Sequence, residues 1–324
     1  MSVEAPGAIP ADVLQSTQPV LLRGLVSHWP LVQDARRSDA AFCDYLRGFD
    51  AGTPLLMWRG PPGINGRFFY NDDFTGFNFA REGQTLGAVL DELLAGSPDA
   101  VYLGSTAIDT AFPALRRDND LAALAGFNPL VSLWLGNQIQ VAPHFDLPDN
   151  IACVVAGRRR FTLFPPEQVG NLYIGPLDLT PAGQPVSLVD PARPDLARFP
   201  RYAEALKHAQ VFELEAGDAL FLPSQWWHGV ESLSPVSGLV NFWWRQSPPF
   251  MDTPLNTLMM ALLTLRDLPP AQRDAWRALF DHYVFDADAD TAAHIPPGAR
   301  GILDPMTDPV ARQLRAMLLN RLNR

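Results

Sequence analysis

The chain has 324 residues, 47% of them hydrophobic and 19% charged, so it can bury a large core and falls outside the disordered class. A formal net charge of −10 and a pI of about 5.0 supply no positive field for phosphate backbones or anionic lipid, so neither nucleic acid nor a membrane is expected as a partner. Its two cysteines, Cys43 and Cys153, lie far apart among apolar residues. That excludes a disulfide framework or a thiolate metal site and leads us to expect a reducing, cytoplasmic location.

Residues 1–15 carry acidic residues and two prolines but no basic stretch followed by an apolar run, so no secretory signal is read there. Nowhere does an apolar run reach the roughly 18 residues of a membrane helix. The 31 prolines and 23 glycines punctuate short apolar runs, the pattern of many short strands joined by turns. In chain order, residues 19–23 and 54–58 read as strands. From Leu86 to Leu94 the apolar residues fall at helical spacing, with Thr85 placed to cap the start and Gly96 the end. Strands resume at 101–104 and 131–136.

Strand signals are densest over 130–245, at 150–156, 160–164, 211–214, 219–222 and 239–244. An antiparallel barrel or jelly roll suits so many short strands, because closure protects their edges. The Pro-, Asp- and Ala-rich stretch 176–200 reads as a long insertion on the rim of a site. After Pro249 the pattern turns helical. Leu255, Leu258, Leu262 and Leu265 share one face, a second helix covers 271–283, and a third covers 310–322 with Val310, Leu314 and Met317 on one side. We therefore expect a barrel with an N-terminal extension over 1–249 and a helical segment over 250–324. The apolar faces of that segment either pack on their own barrel or build a homodimer, and we expect the homodimer.

The chemistry concentrates in His144-Phe145-Asp146 and in His228 far downstream. On a strand, residues two apart face the same side, so His144 and Asp146 can present an imidazole and a carboxylate to one interior, with His228 joining from another strand. Two histidines and one carboxylate on one face of an octahedron leave three positions open, the arrangement of non-haem iron(II) oxygenases. The tripeptide alone is weak, since most such pairs are surface or structural. Its context adds weight: His228 closes a run from Ala216 in which a Gly217-Asp218 turn leads into an apolar strand and the pair Trp226-Trp227. Alternation predicts that one of these tryptophans is core and the other pocket wall or surface. His28, His208, His282 and His294 lack metal spacing and read as structural or surface residues.

Having these residues in hand, the chain resembles the cupin-like branch of the JmjC oxygenase superfamily. The resemblance runs through His144-Phe145-Asp146-Leu147-Pro148-Asp149-Asn150, then 157–166, 217–232 and 240–243, together with 19–30, and extends to about Pro249. It implies a mainly β fold, a double-stranded β-helix (jelly roll) with flanking helices, and a homodimer through the C-terminal helices. Carried over by position, it makes His144, Asp146 and His228 the ligands of Fe(II), with 2-oxoglutarate as cosubstrate. Asn150 and Asn241 fall on polar positions turned toward metal and cosubstrate, Tyr102 on a tyrosine reaching the distal carboxylate of 2-oxoglutarate, and Trp243 on the pocket wall.

Two positions depart from the family pattern. Arg159 stands where a lysine pairs with the distal carboxylate; a guanidinium can hold that group through two parallel hydrogen bonds. Alternation sends Arg158 and Arg160 to the opposite, solvated face. Val141, three residues before His144, replaces a hydroxyl-bearing residue and removes one hydrogen bond to the cosubstrate. The reading that follows is an Fe(II)- and 2-oxoglutarate-dependent hydroxylase of a C–H bond in a protein or peptide side chain, with a small molecule or a modified RNA base also open as substrate. Two alternatives stand beside it. One is a non-catalytic cupin holding a metal and a small ligand such as a sugar. The other is a cupin isomerase or dioxygenase whose substrate itself chelates the metal, a class that more commonly adds histidines near the first ligand pair.

Overall fold

The computed structural model describes residues 7–323, so the first six positions of the 1–15 stretch lie outside the described residues. The chain divides into two units, Met1–Arg245 and Gln246–Arg324. Among the described residues no helix is long and apolar enough to cross a membrane.

The first unit contains thirteen strands: β1 (Val20–Leu22), β2 (Leu55–Gly60), β3 (Arg67–Phe68), β4 (Ala80–Gln84), β5 (Ala100–Ala107), β6 (Leu130–Gly136), β7 (Gln140–His144), β8 (Asp149–Ala156), β9 (Arg158–Phe164), β10 (Gln210–Glu215), β11 (Ala219–Leu222), β12 (Trp227–Ser232) and β13 (Ser237–Trp244). They form an eight-stranded sheet in the order β1-β11-β8-β13-β6-β5-β2-β4 and a five-stranded sheet in the order β10-β9-β12-β7-β3. All pairings are antiparallel except β3 with β7. The inner faces pack on each other. Ala152, Val154 and Leu222 of the large sheet meet Phe161, Leu163 and Val230 of the small one in a single buried cluster. This is the jelly roll that the turn-punctuated strands suit and the double-stranded β-helix that the resemblance implies.

The outer face of the large sheet is covered by α1 (Pro30–Arg37), α2 (Asp39–Arg47) and α3 (Leu86–Ala95), while α4 (Ile108–Ala111) and α5 (Tyr202–Lys207) are short connectors. Helix α3 begins and ends as its sequence predicts. The Thr85 hydroxyl accepts from the Ala88 N–H at 3.3 Å, and Gly96 closes the helix at φ +72°. Helices α1 and α2 have only eight and nine residues, too short for periodicity to single them out, and are divided by Ser38, whose hydroxyl caps α2 through the Ala41 N–H at 3.1 Å. The β8–β9 turn depends on Gly157 at φ +68°, where a Cβ would sit 2.6 Å from the Val236 carbonyl oxygen. Any larger residue there would push apart the strand ends that place Arg159.

Residues 176–200 form no strand or helix, yet they are tied down. Ser187 N–H donates to the Pro143 carbonyl at 2.7 Å, one residue before His144, and Tyr70 Oη donates to the Leu179 carbonyl at 2.7 Å. The second unit consists of α6 (Pro254–Thr264), α7 (Pro270–Phe280) and α8 (Asp308–Leu322), close to the three predicted helices.

Candidate metal centre and cosubstrate pocket

His144 ends β7 and His228 is the second residue of β12, and the two face each other across the antiparallel pairing of those strands. Their ring centroids are 4.4 Å apart, and Asp146 Oδ2 lies 3.5 Å from His228 Nε2. One ligand atom from each of His144, Asp146 and His228 lies within 4.8 Å of the other two. The sequence expectation needs one correction: Asp146 is not on a strand. Chain alternation therefore does not place it beside His144; it lies two residues past the end of β7, in irregular backbone.

Each imidazole is oriented by a backbone carbonyl. His144 Nδ1 donates to Ala142 O at 2.9 Å and His228 Nδ1 donates to Trp226 O at 2.9 Å. A carbonyl only accepts, so Nδ1 carries a proton on both rings; His144 Nε2 keeps its lone pair for a metal, while His228 Nε2 faces Asp146 Oδ2 and would exchange a proton there for the ion. Burial and the neighbouring His228 push the His144 pKa down to about 4, so His144 is neutral near pH 7. Burial also works against the charged form of His228, but the hydrogen bond to Asp146 and that carboxylate's charge outweigh it and raise the pKa. Burial likewise disfavours the Asp146 carboxylate, yet the bond from His228 and the two imidazoles hold it below its usual range. Two imidazole nitrogens and a carboxylate, with the His228 proton given up on binding, suit a divalent ion such as iron(II).

Arg159 of β9 sits on the inner face and is only 2% exposed. Its Nε donates to Ser237 Oγ at 3.1 Å, whereas Nη2 is buried without a partner among the described residues. No acidic side chain among the described residues forms an ion pair with Arg159, whose one hydrogen-bonded side-chain partner there is Ser237. Burial pushes its pKa down to about 10, opposed by the nearby Tyr102. Arg160 turns outward to Glu213 and Glu231 at 2.7 and 3.2 Å, and Arg158 is exposed, so the predicted alternation holds. Ser232, four residues past His228 on β12, lies opposite Arg159 in register. The two ends of the site are thus separated by roughly 13 Å of strand, which a short dicarboxylate and an arginine side chain can span together.

Between these ends the large sheet contributes Asn150, Asn241 and Trp243 from β8 and β13, with Trp243 opposite Asn150 and Asn241 opposite Ala152. Asn241 Oδ1 accepts from Trp134 Nε1 at 2.7 Å. Asn150 Oδ1, Asn241 Nδ2 and Trp243 Nε1 are buried with no partner among the described residues. Tyr102 of β5 packs between Trp134 and Phe68, at ring separations of 6.0 and 5.8 Å, and burial raises its pKa despite the opposing charge of Arg159. Val141 also faces this interior and packs with both inner clusters.

Sequence reasoning misses Ser232 and Ser237. Counting in twos would find them, from His228 through Val230 to Ser232, and from Asn241 back through Leu239 to Ser237. It also misses the aromatic wall of Trp58, Phe68, Phe79 and Trp134 around Tyr102, which no spacing rule marks. Trp226 and Trp227 are each only 4% exposed, one between the sheets and the other on the opposite side against Phe145. Neither is a surface residue, because loop and helix α5 cover the outer side. His28, His208, His282 and His294 are exposed, and none belongs to the metal-ligand cluster found among the described residues.

The model of the cupin-like domain family matches residues 6–250, and the chain belongs to that family. Over 129 residues it is 33% identical to "Lysine-specific demethylase JMJ31" of Arabidopsis thaliana, a match covering 38% of this chain and 23% of that protein. Over 152 residues it is 32% identical to "tRNA wybutosine-synthesizing protein 5" of Gallus gallus, covering 42% and 44% respectively. The chain spans less than half the length of these curated relatives. Among solved structures, the ribosomal oxygenase YcfD of Escherichia coli in complex with cobalt and 2-oxoglutarate aligns over 97% of this chain and 66% of that one, at 17% identity and a TM-score of 0.40.

Proposed function

We propose that the chain is an Fe(II)- and 2-oxoglutarate-dependent oxygenase that hydroxylates a C–H bond of a protein or peptide side chain. One observation carries the reading: a His144, Asp146, His228 triad with both Nδ1 atoms tied to backbone carbonyls shares its interior with a buried guanidinium that has no acidic partner among the described residues. An unpaired interior charge is strongly unfavourable, so Arg159 fits a site built for a ligand carboxylate. Iron(II), when bound, supplies the oxidising chemistry with dioxygen and the oxoacid.

The residues of the chain do the rest. His144, Asp146 and His228 hold the metal and leave three positions open. Arg159, with Ser237 fixing its Nε, receives the distal carboxylate beside Tyr102. Asn150, Asn241 and Trp243 offer unpaired polar atoms to whatever lies between, and the aromatic wall excludes water. Relatives named as a lysine demethylase and a tRNA-modifying protein act on different macromolecules; the net charge of −10 favours protein over nucleic acid here. A cytoplasmic location suits the buried free thiols of Cys43 and Cys153.

Anaerobic titration of the apoprotein with iron(II) and then 2-oxoglutarate tests the reading through the metal-to-ligand charge-transfer band. Metal uptake with no band would leave a metal-binding cupin without oxygenase function, as the missing hydroxyl at Val141 would favour. The helical unit leaves Leu258, Leu263, Phe285 and Leu319 exposed, and we assign it to an isologous homodimer. Light scattering of the dilute, folded protein at a monomer mass would refute that assignment.

A further inference from the structure

The carboxylate of the triad is the one ligand that the sheets do not hold. His144 and His228 are fixed by the β7–β12 pairing, whereas Asp146 follows β7 in irregular backbone before β8 begins. A second loop, residues 223–226, leads directly into His228, and three hydrogen bonds join the two loops. Gln225 N–H donates to the Asp146 carbonyl at 2.9 Å, Ser224 Oγ donates to the Leu147 carbonyl at 2.6 Å, and Ser224 N–H donates to Asp149 Oδ1 at 2.9 Å. Three of the four positions 146–149 are therefore tied to the segment that delivers the second histidine.

The loop that does the holding has a firm base. Trp226 is buried between the sheets and its Nε1 donates to the Thr17 carbonyl at 3.0 Å, while Trp227 is buried on the other side. Gln225 adopts φ +67°, a left-handed conformation uncommon for a residue with a side chain. Its N–H points at Asp146 in that conformation, and its side chain is exposed. A strained residue beside a metal site is sustained only where its surroundings over-determine it.

We propose that Ser224 is a positioning residue for the metal centre. Through its hydroxyl and its N–H it locks the loop carrying Asp146 against the loop entering His228, so that the carboxylate stands in place before the ion arrives. The proposal rests on the metal-centre reading given above. Ser224 touches neither ion nor cosubstrate on this account. Its effect appears in metal affinity and coordination geometry, since residues that orient metal ligands typically govern affinity by roughly 10–100-fold.

Titration of the full-length apoprotein with cobalt(II), followed by its visible absorption, separates this role from a purely structural one. Ser224→Ala is expected to weaken cobalt binding by roughly tenfold or more and to change the shape of the visible band, with little change in the melting temperature of the apoprotein. Ser224→Thr, which keeps the hydroxyl, should restore both affinity and band. If Ser224→Ala fails to fold, Asp149→Ala should show the same loss and Asp149→Asn, which retains Oδ1, should recover it. Parent-like affinity and spectrum in a folded Ser224→Ala or Asp149→Ala protein would overturn the positioning role alone. A parent protein that takes up no cobalt would overturn the metal centre and this role together.

Discussion

The two faces of the large sheet are built from alternate residues of the same strands and have opposite fates. On the outer face Val131, Leu133, Val240, Phe242 and Trp244 are all at most 2% exposed and pack under the helices, with Trp29 and Phe242 at a ring separation of 6.1 Å. On the inner face, one residue away each time, stand Ser132, Trp134, Asn241 and Trp243. Each face leaves polar atoms buried without a partner among the described residues: Trp29 Nε1 and Trp244 Nε1 within the apolar outer layer, and Asn150 Oδ1, Asn241 Nδ2 and Trp243 Nε1 on the inner face that also holds the buried Arg159 Nη2. Buried polar atoms are ordinarily paired; the outer orphans are single indole N–H groups in an apolar layer, whereas the inner ones are amide and guanidinium groups that share one interior with the His144, Asp146, His228 cluster, and that is where a ligand belongs. Stability and function here differ by a single step along the chain, and a one-residue slip of register would exchange them.

The comparison breaks most sharply at the metal end. His144→Ala or Asp146→Ala should abolish iron uptake and turnover completely while leaving the melting temperature of the apoprotein near the parent value, because these side chains add little to the core. Calorimetry beside an iron titration checks both halves; a collapse of the fold in either variant would mean that the inner face is also structural. The converse comes from the outer face. Phe242→Ala should lower stability by about 3–5 kcal/mol, the cost of emptying a buried aromatic site, and leave 2-oxoglutarate affinity unchanged in the fraction that stays folded. Chemical denaturation and a binding isotherm at low denaturant measure the two effects separately.

The uneven legibility of the sequence has the same physical root. Short apolar runs reveal the strands of 150–156 and 219–222, and alternation over 158–160 assigns Arg159 inward and Arg158 and Arg160 outward, because a half-polar strand records its facing directly in its residues. Helix α3 is legible from Leu86, Val89, Leu90 and Leu93 and from both of its caps. Asp146 is placed by hydrogen bonds between loops, which leave no periodic trace, and the rule that brought it next to His144 was the wrong rule with the right outcome. Trp226 is core, as alternation predicts, whereas Trp227 is buried against Phe145 and not at the surface, because burial of the outer side depends on residues 172–205, remote in sequence. The two-residue strand β3 and the exposed β4 carry too few apolar positions for any periodicity to register.

At the other end of the interior, Arg159→Met keeps the apolar stem and removes the charge. Loss of a charge-assisted bond worth about 1.5–3 kcal/mol should raise the dissociation constant for 2-oxoglutarate by roughly one to two orders of magnitude, with iron affinity unchanged. Stability in the absence of ligand should hold or rise, since the unpaired Nη2 leaves the buried guanidinium uncompensated. Isothermal titration under argon decides it. Unaltered 2-oxoglutarate binding would place the anchor elsewhere than Arg159.

The smallest expected effect lies at Val141, where the inner face is apolar although the family pattern sets a hydroxyl. Val141 lies opposite Val230 in register and packs against both inner clusters, so Val141→Thr preserves shape while exchanging a methyl for a hydroxyl. In the empty protein that hydroxyl is buried near apolar neighbours, and the variant should lose about 1–3 kcal/mol of stability. With 2-oxoglutarate present the hydroxyl gains an acceptor, and a neutral hydrogen bond worth about 0.5–1.5 kcal/mol should tighten binding by a factor of roughly two to ten. The two effects oppose each other, which makes the variant sensitive to where Val141 points. Tighter binding accompanied by a lower apoprotein melting temperature would put position 141 in the cosubstrate pocket. A loss of stability with unchanged affinity would instead assign Val141 to packing alone and leave Arg159 and Tyr102 as the groups that hold the acid.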